Sequence, residues 1–172
     1  MFHTIIKNFF IKKIVTKRLL KQQSFLGHTK IATVGILVDE TFFSNTTKLI
    51  EQICLQGFKK EQISVLVYKD RIKSKEEIAQ PFVSLKNFSW SGEINKPEVN
   101  DFLATPFDVL INYYDVNKYP ILLMSIDSKA KFKVGFENVD KRANHFIIKA
   151  GVAQYEAFTF EFVKYLKILN KI

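Results

Sequence analysis

Ile31-Ala32-Thr33-Val34-Gly35-Ile36-Leu37-Val38 is an almost continuous apolar run that stops at Asp39-Glu40. A strand with one wet face alternates apolar and polar residues. A strand apolar on both faces is covered on both, as in the middle of a parallel sheet flanked by helices. Phe107-Asp108-Val109-Leu110-Ile111-Asn112-Tyr113 repeats the pattern. Between them lies a third such run, Ile63-Ser64-Val65-Leu66-Val67-Tyr68.

The segments around these strands read as helices or loops. Ser44 or Asn45 can cap a helix running to about Gln56, which Gly57 ends. Pro97 and Pro120 each suit a first helical turn. A closing helix from about Gln154 to Leu169 carries Phe158, Phe162, Tyr165, Leu166 and Leu169 at helical spacing. The polar stretch 69–85 holds at most one helical turn before Pro81. Asn87-Phe88-Ser89-Trp90, Lys133-Val134-Gly135-Phe136 and His145-Phe146-Ile147-Ile148 read as shorter strands. Alternation of this kind predicts an α/β fold: a three-layer, Rossmann-like, mostly parallel sheet of about five to six strands with right-handed crossovers. The expected order is 3-2-1-4-5, with the sixth strand at an edge.

At 172 residues and 47% hydrophobic, the chain suffices for one ordinary core and not for two. Residues 2–22 form an extra helix without Gly or Pro. It is apolar on two sides: Phe2, Ile5, Ile6, Phe9 and Phe10 on one, and Ile11, Ile14, Val15 and Leu19 roughly opposite. The segment from Ser24 to Thr29, with Gly27, ends it. The expected organisation is a basic helix and linker over 1–30 and a single α/β domain over 31–172.

The net charge of +9 is concentrated in that first segment. Residues 1–30 hold seven basic residues and no acid, so the remainder is nearly neutral. Lys7, Lys12, Lys13, Lys17, Arg18 and Lys21 are therefore candidate partner-binding residues, facing a protein, RNA or an anionic membrane surface. Only three of the 26 basic residues are Arg, a bias that AT-rich codons also produce. No stretch approaches a membrane span or a secretory signal, and a lone cysteine, Cys54, calls for no oxidising compartment. The expected location is the cytoplasm, with peripheral contact at the inner membrane.

In a doubly wound sheet, ligands sit beyond the strands' carboxyl ends, where the strand order reverses. That places Asp39, Glu40, Thr41, Asn112, Tyr113, Tyr114 and Asp115 at the candidate site, with Asp70 nearby. Asp39, Glu40, Tyr113 and Asp115 are the catalytic candidates, since paired carboxylates can hold Mg²⁺ or serve as acid and base. The bland alternative is that strand ends are polar because loops meet water, and that Asp39 faces the following helix N-terminus. The turn after the first strand has no Gly and two acids, so no dinucleotide is expected there. Ser44, Thr46 and Thr47 read as helix capping. His3, His28 and His145 show no metal-ligand spacing, and no cofactor is expected. Trp90 or the Tyr113-Tyr114 pair could stack on a base or sugar, although core packing is commoner.

Four segments carry a resemblance to a family of short proteins of unknown function found in flavobacteria and their relatives. They are Val34 to Glu40, Phe107 to Asp115, Phe132 to Phe136 and Tyr165 to Ile172. Phe107 to Phe136 is also similar to part of the N-terminal half of heptosyltransferases, through Phe107-Asp108 and Lys133-Val134-Gly135-Phe136. That second resemblance implies a Rossmann-like half-domain. No Leu-Gly-Asp turn follows the first strand and no second domain is expected, so the resemblance implies a fold rather than glycosyl transfer.

Two functions fit these readings. One is a non-enzymatic binding or adaptor module. The alternative is a small enzyme acting on a sugar, nucleotide or similar polar metabolite at the sheet's C-terminal edge. The first helix either docks on a partner or packs on the body.

Overall fold

The computed structural model describes residues 2–20, 30–71 and 80–172, with side chains in the first segment from Thr4 onward. Six strands form one sheet: β1 (Val34–Asp39), β2 (Ile63–Tyr68), β3 (Phe82–Val83), β4 (Val109–Tyr113), β5 (Phe132–Phe136) and β6 (Phe146–Ile148). The order is β3-β2-β1-β4-β5-β6, and every pair is parallel. The fold is thus the expected Rossmann-like α/β arrangement, with the sheet wholly rather than mostly parallel. Every residue of β1 and β4 is buried, as their doubly apolar sequences require.

Among the described residues, five helices accompany the sheet: α1 (Phe2–Leu19), α2 (Thr46–Leu55), α3 (Pro97–Ala104), α4 (Tyr119–Asp127) and α5 (Tyr155–Ile168). Successive residues of β4 identify the two faces. The Asn112 amide reaches Ser125 on α4, whereas the Tyr113 ring meets Phe158 on α5. Helices α2 and α5 pack together, and α1 packs on α4. Ile11, Val15 and Leu19 of α1 belong to the buried core. One apolar side of α1 therefore lies on the body, and the side with Ile5, Phe9 and Phe10 is exposed. The predicted end of this helix at residue 22, its linker, Lys21 and His28 lie outside the described residues, as does the stretch expected to hold a turn before Pro81.

The third strand needs correction. It is Phe82–Val83, not Asn87–Trp90. Residues 85–87 form a 3₁₀ turn, and Phe88 makes an isolated antiparallel bridge to Ile94. The Ser89 amide bonds the Glu93 carbonyl and Gly92 takes a φ of +83°, so the run folds back on itself instead of joining the sheet. Strand β1 begins at Val34, because Ile31 to Thr33 are held otherwise. The Ile31 amide donates to the Lys171 carbonyl, and those of Ala32 and Thr33 donate to Asp108. Gly35 is required within β1: a Cβ there would lie 2.7 Å from the Phe107 ring.

Candidate functional site

The strand order reverses between β1 and β4, so their C-terminal ends diverge and leave a crevice. Asp39 ends β1 and is 2% exposed. One oxygen accepts the Thr41 amide at 2.9 Å. The other lies 2.7 Å from the ammonium of Lys118, an ion pair rather than an aligned hydrogen bond. Lys118 immediately precedes α4 and also donates to Asp70, at 2.8 Å. Its ammonium thus occupies the space between two carboxylates where a divalent cation was considered. It also faces the Phe42 and Tyr68 rings, at 4.4 and 5.4 Å from their centroids.

The neighbouring groups tie the same loops together. The Thr41 hydroxyl accepts the Asp70 amide at 3.1 Å. Glu40 accepts the Thr46 hydroxyl and pairs with Lys69 at 3.2 Å. Thr46 therefore braces Glu40 and does not cap α2. Asn45 holds the cap position without a side-chain hydrogen bond. Nor does Asp39 serve the α2 N-terminus; its partners are Thr41 and Lys118. Burial, then the charges of Asp70 and Asp39, push the Tyr68 phenol above its ordinary pKa, so it remains a neutral hydroxyl.

Tyr113 departs from its expected role. Strand parity sends it to the α5 side, where it is fully buried against Phe43, Phe136 and Phe158. Its hydroxyl donates to the Val152 carbonyl at 2.7 Å. Burial raises its pKa, with a smaller contribution from Asp115, which is half-buried beside it. Tyr113 is thus a core residue. Asn112 is likewise internal, donating to Ser125 and Asn144 at 2.8 and 2.7 Å. Tyr114 is buried too, and burial raises its pKa above the ordinary value.

Beside the Lys118 ion pairs lies a cleft of about 860 Å³, within the size range of small-molecule sites. Thr4, Ile5, Lys7 and Asn8 of α1 form one wall. Tyr68 and Arg71 come from the end of β2, Leu85 and Lys86 from the 3₁₀ turn, and Asn117 to Pro120 from the start of α4. Among the described residues, the cations Lys7, Arg71, Lys86 and Lys118 and the carboxylate of Asp70 line it. Of the catalytic candidates, Asp39 and Glu40 sit behind this wall in ion pairs. Asp115 and Tyr113 do not line the cleft.

The candidate partner-binding residues divide similarly. Lys7 donates to the Phe88 carbonyl at 2.7 Å, and one guanidinium nitrogen of Arg18 donates to both carboxylate oxygens of Asp127. Lys12 approaches the Tyr119 ring, Lys13 the Phe9 ring, and Lys17 is exposed. Lys118, Arg71 and Lys86 were not among the residues singled out from the sequence. One signal pointed to Lys118: it lies in the loop after β4, at the same sheet edge as the acids that were.

Among the described residues, no three His, Cys, Asp or Glu side chains gather as a metal site, and no helix is long and apolar enough to cross a membrane. No curated protein and no solved structure matches the chain. A family model matches residues 7–169, nearly the whole length. The chain accordingly belongs to DUF6913, a family of unknown function.

Proposed function

We propose that the protein is a non-enzymatic binding module for a small anionic metabolite, held in the cleft at the C-terminal edge of the sheet. The observation that carries this reading is the charge of the cleft's described lining: Lys7, Arg71 and Lys86 stand there beside Lys118, which pairs with Asp39 and Asp70. Ile5, Leu85 and Tyr119 supply apolar surface for the ligand's body, so a phosphorylated sugar or nucleotide-sized molecule fits both chemistries. The phosphate would meet side-chain cations here rather than a Gly-rich backbone loop.

The ion pairs favour binding over catalysis. Asp39 and Asp70 share Lys118, and Glu40 is engaged by Thr46 and Lys69, so none of the three acids stands poised as a base.

The test is titration of the protein, followed by amide NMR, with sugar phosphates, nucleoside monophosphates and their uncharged parents. Phosphorylated compounds should shift the amides of residues 68–71 and 117–119, and Arg71→Ala should weaken them about tenfold or more. Equal response to the uncharged parents, or none to either class, would overturn the reading.

A further inference from the structure

The outer face of α1 carries a feature the cleft does not use. Phe9 is 53% exposed and Phe10 45%, and Trp90, from the 89–92 turn, is 45% exposed. The Phe10 and Trp90 rings meet edge to face at 5.9 Å, and those of Phe9 and Phe10 at 6.0 Å. Three large aromatic rings therefore stand together at the surface, while Ile11, Val15 and Leu19 hold the opposite side of the helix in the core. Among the described residues, the second apolar side of α1 thus stays at the surface.

Its charge selects the occupant. Lys12, Lys13 and Lys17 are exposed on the same helix, the Lys13 ammonium 4.6 Å from the Phe9 centroid and that of Lys12 5.7 Å from the Tyr119 centroid. Residues 1–30 contain no acid at all. A second copy meeting this face through a two-fold axis would bring two sets of lysines together with no acid on the helix itself to offset them. A convex helix with projecting rings offers no groove for a peptide. Aromatic rings flanked by lysines suit the interface of an anionic bilayer, where rings enter the headgroup region and lysines meet lipid phosphates.

We infer that the exposed Phe9-Phe10-Trp90 ridge, with Lys12, Lys13 and Lys17, seats this protein on the surface of anionic phospholipid membranes. The helix need not leave the body to do so, since the docking face and the packing face are opposite sides of one helix.

Trp90 is the chain's only tryptophan, so its fluorescence reports the contact directly. The full-length protein is mixed with phosphatidylcholine vesicles, with and without 30% phosphatidylglycerol, and with brominated lipids as quenchers. Emission should shift to the blue and be quenched only with phosphatidylglycerol present. Phe9→Ser with Phe10→Ser should abolish the quenching while leaving thermal unfolding unchanged. Lys12→Gln, Lys13→Gln and Lys17→Gln should each lower affinity about fivefold. Absence of binding to anionic vesicles overturns the inference. So does binding without quenching, or binding that ignores the Phe9 and Phe10 substitutions. A blue shift that appears with protein concentration alone would point to self-association instead, and would overturn it equally.

Discussion

The Lys118 ammonium lies 2.7 Å from the buried Asp39 carboxylate and joins the end of β1 to the start of α4 across the point where the strand order reverses. Removing one member leaves the other charge buried and unpaired. Lys118→Met should therefore cost about 3–5 kcal/mol, measured by urea unfolding. Adding Asp39→Asn to that variant should recover most of the loss, because the pair is then replaced rather than broken. A double variant as unstable as the single one would mean that Lys118 stabilises through its stem alone.

The two sides of α1 should respond oppositely to truncation. Ile11 is wholly buried, so Ile11→Ala should cost about 2–5 kcal/mol. Phe9 is exposed, and Phe9→Ala should stay within about 0.5 kcal/mol. Thermal unfolding of the two variants separates a docked helix from a free one. Equal, small effects would mean that α1 contributes nothing to the core.

Lys133 predicts an alkaline stabilisation. Its side chain is buried and donates to the Ser125 and Ile126 carbonyls at the end of α4. Burial pushes its pKa down to about 8, against an opposing pull from Asp127. Below pH 8 both folded and unfolded chains carry the proton, and the cost of the buried charge is present in full. Between about 8 and 10.5 the folded chain has lost the proton that the unfolded chain keeps, so stability rises with pH. The gain should be on the order of 3 kcal/mol at most. Subtracting the Lys133→Met curve isolates it from tyrosine titration. Parallel curves would show that the ammonium is as well solvated in the fold as in water.

Asp108 predicts the reverse at acid pH. It accepts the Ala32 and Thr33 amides and the Thr33 hydroxyl and pairs with Lys131, stapling the entries of β1 and β4. Burial works to raise its pKa, but Lys131, the two amides and the hydroxyl together hold it below the ordinary value. Its stabilisation is present above the unfolded carboxylate's pKa, near 4, and is lost as pH falls through the lower folded value. Asp108→Asn should cost about 1.5–3 kcal/mol at neutral pH and flatten the acid limb of the stability curve. An unchanged acid limb would assign that limb to other carboxylates.

Strands β1, β2 and β4 were legible in the sequence because continuous apolar runs have few other places to go than the middle of a covered sheet. From them came the fold class, the reversal of strand order and the sheet edge where Asp39 and Glu40 lie. Phe82-Val83 was not legible as a strand. Two residues carry too little pattern, and what selects them is pairing with Val67 and Tyr68. The neighbouring run Asn87–Trp90 has better strand residues but is turned back by Gly92.

At the site, sequence placed the acids and tertiary structure decided what they do. A carboxylate's role depends on which cation reaches it, and Lys118 reaches Asp39 only because α4 follows β4 back to the adjacent strand's end. Tyr113 left the site for the core by strand parity, which shifts every side chain to the other face with a change of one residue. The two-sided pattern of α1 likewise stated only that two apolar faces exist. Packing on α4 decided which one is buried, because a helix at the edge of the body meets its neighbours on one side only.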